Sequence, residues 1–193
     1  MKRILGFFMM FILLMPVSAL SEGYKSKYLG EEHRKIKSLS LDDISELKRG
    51  DGWGLAKAAE LNGVPGPAHI LEMEDKIHLT HEQKIKIEAV YADMKKKAML
   101  LGEKFIHLEA ELNNSFLNKT ITQASLKKIV RAIENVKAEL RIAHLSTHLQ
   151  TPNILTDEQI ILYNQLRGYS KDPCQNIPEG HNMEMWKKHN GCK

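Results

Sequence analysis

Two long apolar patterns of equal pitch constrain the fold of this chain more than any other feature of its sequence. Both place apolar residues at alternating intervals of three and four, which marks one stripe along an α-helix. The first stripe is Ile87, Tyr91, Met94, Ala98, Leu101, Phe105, Leu108 and Leu112, and the second is Leu126, Ile129, Ile133, Val136, Leu140, Ala143 and Thr147. Matching stripes predict a long antiparallel helical hairpin.

The predicted helices begin at threonines that can cap them. Thr80, Thr122 and Thr156 each precede a helical pattern, and their hydroxyls can accept hydrogen bonds from free backbone N–H groups. Gln83 and Gln159 stand three residues after the first and the last of these threonines, which completes a capping box at both. We therefore expect a short last helix after the hairpin.

Short helices are also expected before the hairpin, over residues 54–61 and from Pro67 to about Ile77. The chain is 42% apolar and only 6% aromatic, a composition that favours one all-α domain over a β-sandwich. A bare two-helix hairpin would leave an apolar edge exposed. We therefore expect the flanking helices or a second copy of the chain to cover it, and we predict a homodimer.

The N-terminus has the pattern of a secretory signal. Lys2 and Arg3 precede an apolar run over residues 4–15, and small residues follow up to Ala19. We predict a signal peptide at 1–19, cleaved near Ala19, a periplasmic location and no membrane span after its removal. Cleavage leaves 26 basic against 24 acidic side chains, a formal net charge of +2. Such a weak charge argues against nucleic-acid binding.

The remaining sequence divides into three segments. A polar, glycine-rich stretch at 20–54 is predicted to be a flexible arm, residues 55–168 the helical domain, and residues 169–193 an irregular tail. The two cysteines, Cys174 and Cys192, lie in this tail. Export to an oxidising compartment favours a disulfide between them, with a metal-binding pair as the alternative.

No catalytic motif is evident. The sequence contains neither H-E-x-x-H nor G-x-S-x-G, and no nucleotide-binding glycine-rich loop. Neighbouring carboxylates such as Asp42 and Asp43 have no apolar sequence context that would raise a pKa. We interpret the chain as a non-enzyme.

A repeated motif connects the chain to a known family. L-T-x-x-Q occurs twice, each time at a helix start: Leu79, Thr80 and Gln83, then Leu155, Thr156 and Gln159. Two such copies around a long hairpin in an exported chain resemble the Spy/CpxP family of periplasmic proteins, over residues 67–168. The resemblance implies a helical hairpin that dimerises into a cradle. It also implies ATP-independent chaperoning, or envelope-stress or metal sensing.

The resemblance implies two kinds of partner, unfolded envelope proteins or a membrane-bound signalling protein. A cradle of this type would hold unfolded clients through apolar side chains ringed by charge. The apolar candidates are Met94, Met99 and Leu100. The charged candidates are Lys84, Lys86, Lys95, Lys96, Lys97, Lys127, Lys128 and Arg131. Lysines on a solvated helix face are the alternative interpretation.

Two side-chain pairs at helical spacing are candidate metal ligands. His144 and His148 lie on one helix face, and His69 and Met73 repeat the i, i+4 spacing. Imidazole and thioether ligands suit nickel, cobalt, copper or zinc. The arrangement is similar to the periplasmic nickel and cobalt sensor CnrX, which implies an additional carboxylate ligand, for which Glu88 is a candidate.

The alternative interpretation of these histidines is structural. Imidazoles at a helix interface are often hydrogen-bonded to their neighbours and bind nothing. The tail contains His181, Met183, Met185 and His189, which are candidates for a secondary metal site. The sequence therefore supports a chaperone or stress adaptor first, and a periplasmic heavy-metal sensor or resistance protein second.

Overall fold

The computed structural model describes residues 24–169 and 182–189. The chain divides into two units, residues 1–33 and 34–193. The described part of the first unit contains one 3-10 turn, Glu31–His33. The second unit contains the helices α1 (Leu41–Arg49), α2 (Lys57–Glu60), α3 (Pro67–Glu72), α4 (Glu74–Ile77), α5 (His81–Leu117), α6 (Gln123–Gln150), α7 (Asp157–Leu166) and α8 (Met183–His189). Within the described ranges no strand is present, and no helix has the length and apolarity that a bilayer crossing requires.

The long hairpin is confirmed as α5 and α6. With 37 and 28 residues, the two helices extend about 55 Å and about 42 Å. Thr80 caps α5 and Thr122 caps α6, each accepting a hydrogen bond from the backbone N–H three residues on. The chain turns between them at Lys119, which has a positive φ of 55°.

The apolar stripes meet in the first core. Ala98 and Phe105 of α5, and Ile133 and Leu140 of α6, are at most 4% exposed. Burying a side chain the size of Phe105, Ile133 or Leu140 stabilises the fold by about 1.5–3 kcal/mol. The spacing in the sequence therefore identified the inner faces of both helices.

Helix α1 packs across α5 and contributes to the same core. Ser40 caps it, and Leu39 and Leu47 are buried. At the crossing, a Cβ added to Gly102 would lie 2.3 Å from the carbonyl oxygen of Leu47, so only glycine fits there. The sequence predicts a flexible arm over 20–54, whereas the structure packs its second half onto the hairpin.

Trp53 fixes the segment after α1. Its ring meets Phe105 edge to face at 5.4 Å between centroids, and its Nε1 donates to Asp43 Oδ1 at 2.8 Å. Hydrogen bonds from Ser40 and Trp53 hold the pKa of Asp43 below its ordinary value. The start of α1 is thereby tied to the loop that follows it.

A second core lies at the other end of the hairpin, where α3, α4 and α7 pack against the start of α5. Ile70, Ile77, Ile87 and Tyr163 are at most 1% exposed. Burial raises the pKa of Tyr163 to about 12. The helix predicted from Pro67 to Ile77 breaks at Met73 into α3 and α4, and α8 is helical within the tail predicted as irregular.

Candidate functional site

A cavity of about 240 Å³ lies beside the second half of α6. His144 and His148 of α6 and His69 of α3 line it together with Glu60 of α2. The i, i+4 spacing on α6 places its two imidazoles on one face, as the sequence predicted. Three of the four predicted metal ligands therefore lie around one space.

The two histidines of α6 are held in one tautomer. His144 Nδ1 donates to the carbonyl of Leu140 at 2.9 Å, and His148 Nδ1 donates to the carbonyl of Val64 at 2.8 Å. A carbonyl only accepts hydrogen bonds, so each Nδ1 carries a proton, and in the neutral ring the lone pair lies on Nε2. His144 is 5% exposed, and its Nε2 has no hydrogen-bond partner.

Burial also favours the neutral form of His148. Desolvation lowers its pKa, against the opposing effect of the hydrogen bond to Val64. A Cβ at Gly66 would lie 2.5 Å from His148 Nε2, so the glycine gives this ring its space. Burial therefore favours the form of His148 in which Nε2 is a neutral nitrogen donor.

Glu60 and His69 form the opposite side of the cavity. His69 Nε2 lies 3.4 Å from Glu60 Oε1, and its Nδ1 lies 2.8 Å from Glu72 Oε2. Partial burial acts to raise the pKa of Glu60, but hydrogen bonds from Tyr169 and Arg167 hold it below its ordinary value. Glu60 is thus a carboxylate that ties α2 to the end of α7.

Two other candidate ligands lie elsewhere. Met73 packs against the second core, and Glu88 does not line the cavity. Glu60, which does, was missed because no spacing rule connects α2 with α3 or α6. Throughout the described ranges, no three His, Cys, Asp or Glu side chains are grouped closely enough to hold a metal ion as they stand.

The two L-T-x-x-Q segments meet at the base of the hairpin. Gln83 Nε2 donates to Gln159 Oε1 at 2.8 Å, and Gln159 Nε2 lies 3.0 Å from Gln83 Oε1. Each Oε1 also accepts from the backbone N–H of its own capping threonine at 3.0 Å. The pair therefore connects the start of α5 to the start of α7.

Both glutamines also bond to the backbone just before the opposite helix. Gln83 Nε2 donates to the carbonyl of Ile154 at 2.9 Å, and Gln159 Nε2 approaches the carbonyls of Ile77 and His78 at 3.4 and 3.3 Å. The motif leucines, Leu79 and Leu155, pack against the second core. All six motif residues thus contribute to one junction.

A family model for LTXXQ motif family proteins matches residues 67–167, just over half of the chain. The chain belongs to the LTXXQ motif family. The match begins at α3 and ends with α7, so α1 and Glu60 lie outside it. No curated protein and no solved structure matches the chain. The family is non-enzymatic and generally periplasmic, consistent with the Spy/CpxP resemblance.

This LTXXQ protein also has an apolar groove along α5. The groove has a volume of about 500 Å³ and is lined by Tyr91, Ala92, Lys95, Lys96, Met99, Leu100 and Glu103. Leu100 is 65% exposed and Met99 40% exposed, whereas Met94 is buried in the first core. Two of the three predicted apolar contacts are therefore accessible, and Met94 is not.

Several of the lysines that were predicted to surround the apolar client contacts interact with other side chains of the protein itself. Lys84 pairs with Glu74 at 2.7 Å, and Lys86 pairs with Glu82 at the same distance. The Lys95 ammonium lies 5.5 Å from the centre of the Tyr91 ring. Lys96 borders the groove and remains exposed.

Only some of the residues predicted to be functional in the tail lie within the described ranges. Cys174, Cys192 and His181 lie outside the described residues, as does the whole predicted signal peptide. Met183 and Met185 are exposed on α8, and His189 is its last residue.

Proposed function

We propose that this protein is a periplasmic, ATP-independent chaperone or envelope-stress adaptor of the Spy/CpxP type. The observation that carries the proposal is the groove on α5, where Met99 and Leu100 are exposed between charged side chains. Membership of the LTXXQ family supports the same type of protein.

The chemistry of the groove suits unfolded polypeptide. Methionine and leucine adapt to many apolar side chains, and Met99 is unbranched. Lys95, Lys96 and Glu103 border the groove and offer polar contacts to a client backbone. A shallow surface of this kind binds many sequences weakly and releases them without nucleotide.

An aggregation assay tests this function. The protein should suppress aggregation of a chemically denatured client without nucleotide and equally well in the presence of a chelator. Leu100→Glu should remove most of the suppression, because it places a charge in the groove. Ile161→Glu is the matched control, since Ile161 is 57% exposed on α7. If the wild-type protein leaves the client aggregating at the control rate, the proposed function is wrong.

A second apolar stripe on α6 supports the proposed homodimer. Ala138, Ile142, Leu145 and Leu149 follow one another at intervals of four, three and four on the face opposite the core. Ile142 is 51% exposed and Leu149 75% exposed. Two copies of α6 packed antiparallel would bury this stripe in a self-complementary way.

Sedimentation velocity tests the dimer. Ile142→Glu with Leu149→Glu should convert it to monomer, whereas the Ile161→Glu control should not. A wild-type protein that stays monomeric at all accessible concentrations would contradict the dimer.

A second candidate function is metal sensing or resistance through a divalent nickel, cobalt, copper or zinc ion. The observation that favours it is the buried, unpartnered Nε2 of His144 in a cavity shared with His69 and His148. Neutral imidazole nitrogens are good ligands for these metals. Binding would require His69 to leave Glu60 or Glu72, which fits a site that responds to the ion by moving.

Calorimetric titration with nickel, copper and zinc separates the two functions. His144→Ala and His148→Ala should each weaken binding at least tenfold if the cavity is the site. Met73→Ala, which changes a side chain of the second core, is the control. Binding that stays unchanged or millimolar in both histidine variants removes this candidate.

Export and the tail disulfide are proposals with a common test. The motif at residues 1–19 supports cleavage near Ala19, and an oxidising periplasm would join Cys174 to Cys192. Mass spectrometry of the protein from the periplasm should give a chain that lacks residues 1–19. Its mass before reduction should be lower by two hydrogens than its mass after reduction. An intact N-terminus or two alkylatable thiols would contradict them.

A further inference from the structure

The far end of the hairpin has an exposed apolar tip, which we define as residues 112–122. Phe116 is 56% exposed and Leu117 69% exposed in the last turn of α5. Together with the half-buried Leu112 they line a groove of about 400 Å³. Large apolar side chains at the end of a helical rod project beyond their neighbours, and nothing in the described residues covers them.

Asn113 brings a basic segment to this tip. Its side-chain Oδ1 accepts from the backbone N–H of Lys37 at 3.3 Å, and its Nδ2 donates to the carbonyl of Lys35 at 3.4 Å. Lys37 lines the same groove as Phe116 and Leu117. The segment before α1 thus adds two exposed lysines to the apolar tip.

Three more lysines surround the turn. Lys119 stands in the turn itself, and Lys127 and Lys128 follow within about 10 Å along α6. All are exposed, and no ion pair within the described ranges joins any of the five lysines to a carboxylate. Two acidic groups stand against these five lysines: Glu109, which lines the groove and accepts from Ser38, and Glu111. The tip is therefore apolar at its centre and basic around it.

We propose that this tip docks on an anionic phospholipid surface. Phe116 and Leu117 would enter the boundary between headgroups and acyl chains, and the lysines would contact lipid phosphates. The excess of positive charge around Phe116 and Leu117 matches an anionic bilayer, because such a surface presents many phosphates at once. Glu103, at the end of the α5 groove, lies about 20 Å from Phe116 along the helix, so the lipid and client surfaces are separate.

Vesicle co-sedimentation tests the proposal with the exported protein. Binding should be strong to phosphatidylcholine vesicles with about 30% phosphatidylglycerol, weak to pure phosphatidylcholine, and reduced by salt. Phe116→Ser with Leu117→Ser should weaken binding at least about tenfold. Leu61→Ser with Ile161→Ser is the matched control, because these side chains are 64% and 57% exposed elsewhere. Circular dichroism checks that all variants are folded.

Two further variants test the contribution of the lysines to lipid binding and the independence of lipid binding from the client groove. Lys127→Gln with Lys128→Gln should reduce the preference for anionic vesicles, which a purely apolar contact would not. Leu100→Glu should leave vesicle binding unchanged, so a failure of the chaperone proposal is distinguishable from a failure of this one. The proposal is overturned if the tip variant binds as the wild type does, if pure phosphatidylcholine binds equally well, or if the tip variant alters only self-association.

Discussion

The paired glutamines should contribute coupled stability at the base of the hairpin. Gln83→Ala removes the contact with the Thr80 backbone N–H, the bond to the Ile154 carbonyl and the contacts with Gln159. A capping interaction contributes about 1 kcal/mol, and each of the other hydrogen bonds about 0.5 kcal/mol net. We therefore expect Gln83→Ala to lower the free energy of unfolding by about 2–3 kcal/mol.

A double-mutant cycle isolates the contact between the two motifs. Gln159→Ala alone should cost a similar amount, and the double variant about 3–4 kcal/mol, which leaves a coupling of about 1–2 kcal/mol. Urea unfolding followed by circular dichroism at fixed pH measures all four proteins.

Two further variants make the cycle specific. Ser125→Ala breaks the capping box of α6, which is not bonded to the capping box of another helix. Its cost of about 1 kcal/mol should therefore simply add to that of Gln159→Ala. Gln83→Glu keeps an acceptor for the Thr80 N–H and for Gln159 Nε2. It cannot donate to Ile154 or Gln159, and it turns a carboxylate oxygen toward their oxygen atoms, so it should destabilise almost as much as alanine. Additive costs for Gln83→Ala and Gln159→Ala, with no coupling, would refute the reasoning.

Two other changes test the packing of α1 and the histidine cavity. Gly102→Ala should force α1 away from α5 and cost about 1–3 kcal/mol, with a shift in Trp53 fluorescence that Ala92→Gly on the exposed face does not cause. An unshifted Trp53 emission would contradict the close approach. The depressed pKa of His148 means that the unfolded chain binds more protons, so stability should fall as the pH drops below about 6.5. With a chelator present, denaturant titrations of His148→Gln should have a smaller loss over this range, and an identical pH profile would contradict the assignment.

The periodic parts of the fold could be predicted from the sequence because one interaction determines them. Burial of one stripe fixes the pitch of both long helices, and Ile133 and Leu140 lie where the spacing placed them. Capping threonines likewise marked the starts of α5, α6 and α7. The packing of α1 was missed, although Ser40 with Asp43 forms a capping box and Gly102 is a glycine in the middle of a long helical pattern.

For the candidate site, the sequence could predict only which residues lie on the same face of one helix. Spacing on α6 placed His144 and His148 together, but the position of Met73 depended on a continuous helix that breaks at that residue. Glu60, the last residue of α2, lines the cavity and accepts hydrogen bonds from Arg167 and Tyr169 near the end of α7. Such tertiary contacts leave no period in a single sequence.

Site-specific photo-cross-linking to an unfolded client most directly tests whether the groove on α5 holds polypeptide. A photoreactive phenylalanine analogue at Leu100 should cross-link to the unfolded client. The cross-linked product should be absent when the same client is folded. The same group at Ile161, which is 57% exposed on α7 against 65% for Leu100, should give little product. Equal yields at the two positions, or none at Leu100, would contradict the account.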